Sequence, residues 1–170
     1  MKLLGLPGRE PSTLAQMQGL LTRLEVGQTE TEIRRHAFWE TDWTNPDLLP
    51  EAQAVGDLAA DLVVAKSIGT LIAMLAAARH GFAPTACVFI ATPLHRLVAE
   101  QRLALLAAHC EAIPTLFLQQ TDDFNGAYAP LAEIVARHPR CSAVEIPGGD
   151  HLYEDLELIA PLIEAWVNEA

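Results

Sequence analysis

Along the chain, short runs that are apolar on both faces alternate with longer stretches in which apolar residues recur every three or four positions. The first pattern predicts buried strands and the second predicts helices. Strands are expected at Lys2–Leu6, Ile33–Trp39, Leu62–Lys66, Thr85–Ala91, Ile113–Gln119 and Ser142–Ile146. Helices are expected from Ser12, which would cap the first, to Leu24, and from Asn45-Pro46 to about Ala60. Four more are predicted over Ser67–His80, Leu94–His109, Tyr128–Arg137 and Tyr153–Glu169. The irregular stretch Glu40–Pro50, which carries Trp43, reads as a surface loop beside the sheet.

This alternation implies an α/β fold of about six mostly parallel strands with helices on both faces. No internal repeat or linker interrupts it, so residues 1–170 are expected to form a single domain. In such folds ligands bind at the carboxyl ends of the strands. The residues that follow each strand are therefore the ones to inspect.

The third predicted strand runs into Ala65-Lys66-Ser67-Ile68-Gly69. A strand that turns sharply into a helix strains the central residue and needs small neighbours two positions to either side, which Ala65 and Gly69 provide. Such a turn raises the serine hydroxyl above the unpaired amides of the helix N-terminus. The motif departs from G-x-S-x-G at its first position, and a serine that merely caps the helix fits Ser67 as well. A phosphate-binding loop does not fit, because the positions that would need glycine are Ala60 and Ala65.

The fifth strand is followed by Thr121-Asp122-Asp123-Phe124, and the sixth by Pro147-Gly148-Gly149-Asp150-His151. Acids at a strand end are common turn formers, but a histidine in a glycine-rich loop directly before a helix is less ordinary. The other five histidines fall on predicted helices or within a strand and read as packing or surface residues. Taken together, Ser67, an acid at 122 or 123, and His151 follow three strands of one sheet. That set can perform acyl transfer. A hydroxyl needs a base to take its proton, imidazole can take it and return it to a leaving group, and a carboxylate fixes the imidazole tautomer.

Composition narrows the alternatives. Twenty-two acidic side chains against eleven Lys and Arg give a formal charge of −11, which argues against nucleic acid or anionic membrane as a partner. The three cysteines, Cys87, Cys110 and Cys141, form no CxxC pair and read as reduced thiols. No basic-then-apolar leader and no apolar run long enough to span a bilayer is present, so a soluble, cytoplasmic protein is expected. Nothing in these spacings calls for a metal or cofactor. The long apolar final helix leaves room for a homodimer.

From "LLGLPG" through "VVAKSIGT" and "LFLQQTDD" to "IPGGDH", the chain resembles the small, lidless α/β-hydrolases, in outline the compact serine hydrolases of the retinoblastoma-binding-protein type. The resemblance covers nearly the whole chain. It implies a three-layer hydrolase fold without a cap domain, and a small-molecule ester or acyl substrate. It favours Asp123 over Asp122 as the acid, and the backbone amides of Ile68 and Arg9 as the oxyanion hole. A shallow, open pocket suited to a short-acyl ester, a thioester or an extended substrate follows from the missing cap. The Pro7-Gly8-Arg9 loop lacks the His-Gly-Gly run of many esterases. Lys66 reads as a solvated or supporting lysine or, alternatively, with Arg9, as a contact for an acidic substrate group. Trp39, Trp43 and Phe124 are candidate pocket residues, although aromatic residues near strand ends more often serve packing. Two other readings stand beside the hydrolase. One is a catalytically silent interaction scaffold on the same fold. The other is a flavodoxin-like nucleotide or flavin binder, for which Pro7–Pro11 is a poor phosphate loop because its prolines remove amide donors.

Overall fold

Six strands form one all-parallel sheet in the computed structural model, which describes residues 1–169. In chain order the elements are β1 (Lys2–Leu6), α1 (Thr13–Arg23), β2 (Glu30–Ile33), a 3₁₀ turn (Ala37–Glu40), α2 (Leu48–Gly56), β3 (Leu62–Lys66), α3 (Ile68–His80), β4 (Ala86–Ile90), α4 (Leu94–Ala99), α5 (Leu103–Ala112), β5 (Thr115–Gln120), α6 (Tyr128–Val135), β6 (Cys141–Ile146) and α7 (Leu156–Glu169). The strands lie in the order β2-β1-β3-β4-β5-β6.

Alternation along each strand divides the core into two layers. Leu3, Leu62, Val64, Val88, Ile90, Leu116 and Leu118 face α1 and α7. Leu4, Leu6, Val63, Ala65, Phe89 and Phe117 face the side covered by α2 through α6. β3 and β5 are buried along their whole length, which explains why they carry no polar face. The result is a three-layer α/β architecture, and no cap domain is evident among the described residues. No helix among them is long and apolar enough to cross a membrane. The cysteines are free, with Cys87 and Cys110 buried.

Several expected boundaries move, each for a local reason. The second strand is Glu30–Ile33, which shares only Ile33 with the stretch expected, Ile33–Trp39. Its partner β1 stops at Leu6, and after Arg34 N–H donates to Gly5 O no edge is left to pair with. The chain instead turns inward, burying Phe38 with the His36 ring stacked 4.8 Å away. Residues 94–109 form two helices, because Gln101 sits at φ 55° between α4 and α5. Ser12 does not cap α1, since it is itself helical and makes no side-chain capping bond. Asp47 caps α2 through Leu49 N–H, placing its start after the two residues Asn45 and Pro46. The last helix begins at Leu156, not Tyr153, which is held elsewhere for a reason given below.

The chain passes from β1 outward to β2 and back across to β3, so neighbouring strands β1 and β3 leave the sheet in opposite directions. That reversal opens a crevice beyond their carboxyl ends. Ser67 lies at its floor.

Candidate active site

Ser67 joins β3 to α3 with φ 50° and ψ −117°, outside the regions an L-residue favours. Such a conformation costs on the order of 1–3 kcal/mol and persists only where the surroundings enforce it. They do. Ser67 N–H donates to Ile90 O at 2.8 Å, and Ser67 O accepts from both Thr70 N–H and Thr70 Oγ1. A Cβ on Gly69 would stand 2.3 Å from Leu6 O and 2.7 Å from Pro7 O, so α3 can approach β1 only with glycine there. Gly69→Ala is accordingly expected to destabilise the protein by roughly 3 kcal/mol, the upper end for overpacking, measured by urea unfolding. An unchanged midpoint would mean the elbow is looser than this geometry requires.

The Ser67 side chain does not cap α3. Its Oγ lies 2.8 Å from His151 Nε2, and His151 Nδ1 lies 2.8 Å from both oxygens of Asp123. A buried, ionised Asp123 can only accept, so Nδ1 carries the proton and Nε2 is left to accept from the serine. Asp123 is 2% exposed. Burial alone would raise its pKa, but bonds from His151 Nδ1, Asn125 N–H and the Tyr153 hydroxyl outweigh burial and hold it below the ordinary value. Asp122, by contrast, is exposed and its N–H donates to Gly148 O, fastening the loop before His151.

The histidine is itself fixed in a strained turn, with φ 63° at His151 and 55° at Tyr153. Gln120, at the end of β5, accepts from His151 N–H through Oε1 at 2.8 Å and donates through Nε2 to Asp150 Oδ1. Gly148 has φ 129°, and a Cβ there would come within 2.8 Å of Gln120 Nε2. From the other side, Gln16 of α1 donates to Leu152 O and Tyr153 O, each at 2.7 Å. Lys66 donates to Leu152 O and to Gln16 Oε1. The alternation of β3 turns Lys66 away from α3 and toward α1. It is only 7% exposed, and burial, against the opposing pull of Glu154 and other acids, lowers its pKa to about 8.

Two of these residues carry no signal in a strand–helix pattern: Tyr153 and Gln16. The Tyr153 hydroxyl accepts from Gln120 N–H at 2.6 Å and donates to Asp123 Oδ2 at 2.8 Å. Tyr153→Phe leaves that buried N–H without a partner and takes a donor from the carboxylate. A loss of about 1–3 kcal/mol is expected in urea unfolding. A Phe variant as stable as wild type would show that the hydroxyl is not needed there.

Ser67 and His151 open onto a cleft of about 540 Å³, with Asp123 buried behind them. Ile68, Arg9, Lys66 and Phe124 line it with Ser67 and His151, whereas Trp39 and Trp43 do not. Trp43 lies instead against the Arg9 guanidinium, 6.0 Å from the ring centroid. The β1–α1 loop that carries Arg9 is anchored from the segment after β2. His36 Nε2 bonds Pro7 O at 3.0 Å, with Glu51 on its other nitrogen, and Trp39 Nε1 donates to Arg9 O at 2.8 Å. Because trans peptides are planar, the N–H groups of Gly8 and Glu10 point away from those anchors. Ile68 heads α3, where first-turn amides have no intrahelical partner.

No protein-family model, curated protein or solved structure matches this chain.

Proposed function

We propose that the protein is a serine hydrolase of the α/β-hydrolase type, acting on a carboxylic ester or thioester through an acyl-enzyme intermediate. The observation that carries this reading is the unbroken hydrogen-bonded series from Ser67 Oγ through His151 to Asp123, opening onto a cleft. The strand order alone does not decide, since doubly wound nucleotide-binding sheets share it. Strain supplies a second argument. A scaffold has no use for a non-glycine residue held at φ 50° with its hydroxyl on an imidazole, whereas a nucleophile does.

In the proposed reaction His151 Nε2 takes the Ser67 Oγ proton as Oγ attacks the carbonyl carbon. Asp123 holds the imidazole tautomer and stabilises the imidazolium. The oxyanion is stabilised by Ile68 N–H and by a second amide from the Gly8–Glu10 loop, with Arg9 the residue named by the resemblance. One such donor is worth roughly 3 kcal/mol. The imidazolium proton then passes to the leaving group, and water repeats the cycle on the acyl-serine. With no cap to enclose a long chain, a short acyl group is the expected substrate part. Turnover of short-acyl esters by the purified protein tests the reading. A folded protein inert toward a broad ester and thioester panel contradicts it.

A further inference from the structure

A general acid must lie about 2.6–3.2 Å from the atom it protonates. If the proposed function holds, the leaving-group oxygen or sulfur therefore sits beside His151 Nε2, and its substituent lies against whatever flanks that edge of the ring. Two large apolar side chains border the cleft near His151. The Phe124 ring is 5.4 Å from the imidazole, centroid to centroid, and is 62% exposed. Leu152, the next residue after His151, is 50% exposed. Both line the cleft, whose lining also includes the polar Arg9, Glu10 and Thr13 of the β1–α1 segment.

Their exposure is built in by fastened backbones. Phe124 O lies 2.9 Å from His95 Nδ1, and Asn125 O accepts from His95 N–H at 2.8 Å. The following Gly126 packs so closely on α4 that a Cβ would stand 2.6 Å from Leu94 Cβ. Leu152 N–H donates to Asp150 Oδ1, and its carbonyl is held by Gln16 and Lys66. Apolar side chains held exposed in a cleft beside His151 offer a surface for an apolar ligand group.

We infer that Phe124 and Leu152 form a leaving-group subsite, and that the substrate is an ester or thioester of an apolar alcohol or thiol with a small or polar acyl part. This rests on the proposed function. As the carbon–oxygen bond to the leaving group breaks, its electron pair takes the proton from His151 Nε2. The alcohol departs from between the two side chains, and the acyl group stays on Ser67 Oγ.

The test compares acetates of methanol, butanol and benzyl alcohol, whose leaving groups are of similar acidity, with methyl esters of increasing acyl length. Each methylene buried in the subsite is expected to raise kcat/KM by up to about fourfold. Butyl and benzyl acetate should therefore exceed methyl acetate by at least about tenfold, and acyl lengthening should bring no such gain. Phe124→Ala and Leu152→Ala should collapse the benzyl-to-methyl ratio toward one. Leu49→Ala, an exposed apolar residue on α2 outside the cleft, should keep it. A flat alcohol series, a gain with acyl length, or a ratio unmoved by both cleft variants overturns the inference. Parallel labelling of Ser67 by a fluorophosphonate separates the cases. Labelling with a flat series overturns the subsite alone, and neither labelling nor turnover overturns the hydrolase reading and the subsite together.

Discussion

Ser67→Ala is expected to lower ester turnover by roughly 10⁴-fold or more, with the fold retained. The hydroxyl has one hydrogen-bond partner, His151 Nε2, and makes no capping bond, so its removal costs stability only about 1 kcal/mol. The elbow is enforced by backbone bonds and by Gly69, neither of which the substitution touches. Activity and stability should therefore separate: kcat/KM on a short-acyl ester collapses while the urea midpoint moves little. A variant that keeps wild-type turnover removes Ser67 from the reaction.

The second large effect distinguishes two adjacent acids. Asp123→Asn should reduce kcat by roughly 10⁴-fold, because an amide can stabilise the wrong imidazole tautomer and cannot support the imidazolium. Asp122→Asn should leave kcat within about twofold, since Asp122 is exposed and its bond to Gly148 O is made by its backbone N–H. Equal losses, or the reverse order, would contradict the geometry. The Asp123 substitution also has a signature in acid. The folded carboxyl titrates below its ordinary value, so its ionised form contributes stability above the unfolded pKa and loses it as pH falls through the folded one. The Asn variant lacks that contribution, and its stability should fall less between neutral and acid pH.

Much of the sheet can be read from the chain because parallel strands buried on both faces need continuous apolar runs. Leu62–Lys66 matches β3 residue for residue, and the elbow follows from the small residues at 65 and 69. Tertiary partners account for the differences. Ile33–Trp39 has strand-forming residues, but a strand needs a neighbour, and β1 ends at Leu6. Leu94–His109 is periodic throughout, yet no periodicity shows the reversal at Gln101. Tyr153 looks like the first apolar residue of a helix. It is instead an anchor for Asp123, drawn out of helical geometry by a contact thirty residues distant in sequence. Gln119 and Gln120 did carry a signal: two amides ending a fully buried strand must find partners, and Gln120 finds them around His151. The polar part of the cleft lining and the placement of Trp43 depend on loop conformation, which composition and spacing do not specify.

The most direct test of the central claim, that Ser67 is an activated nucleophile, is treatment of the folded protein with a fluorophosphonate and location of the adduct by mass spectrometry. One adduct on Ser67 is predicted, absent from Ser67→Ala and formed much more slowly by His151→Ala. No adduct on the folded wild type, or an adduct on another residue with Ser67 untouched, would contradict the claim and leave the cleft better explained as an interaction surface.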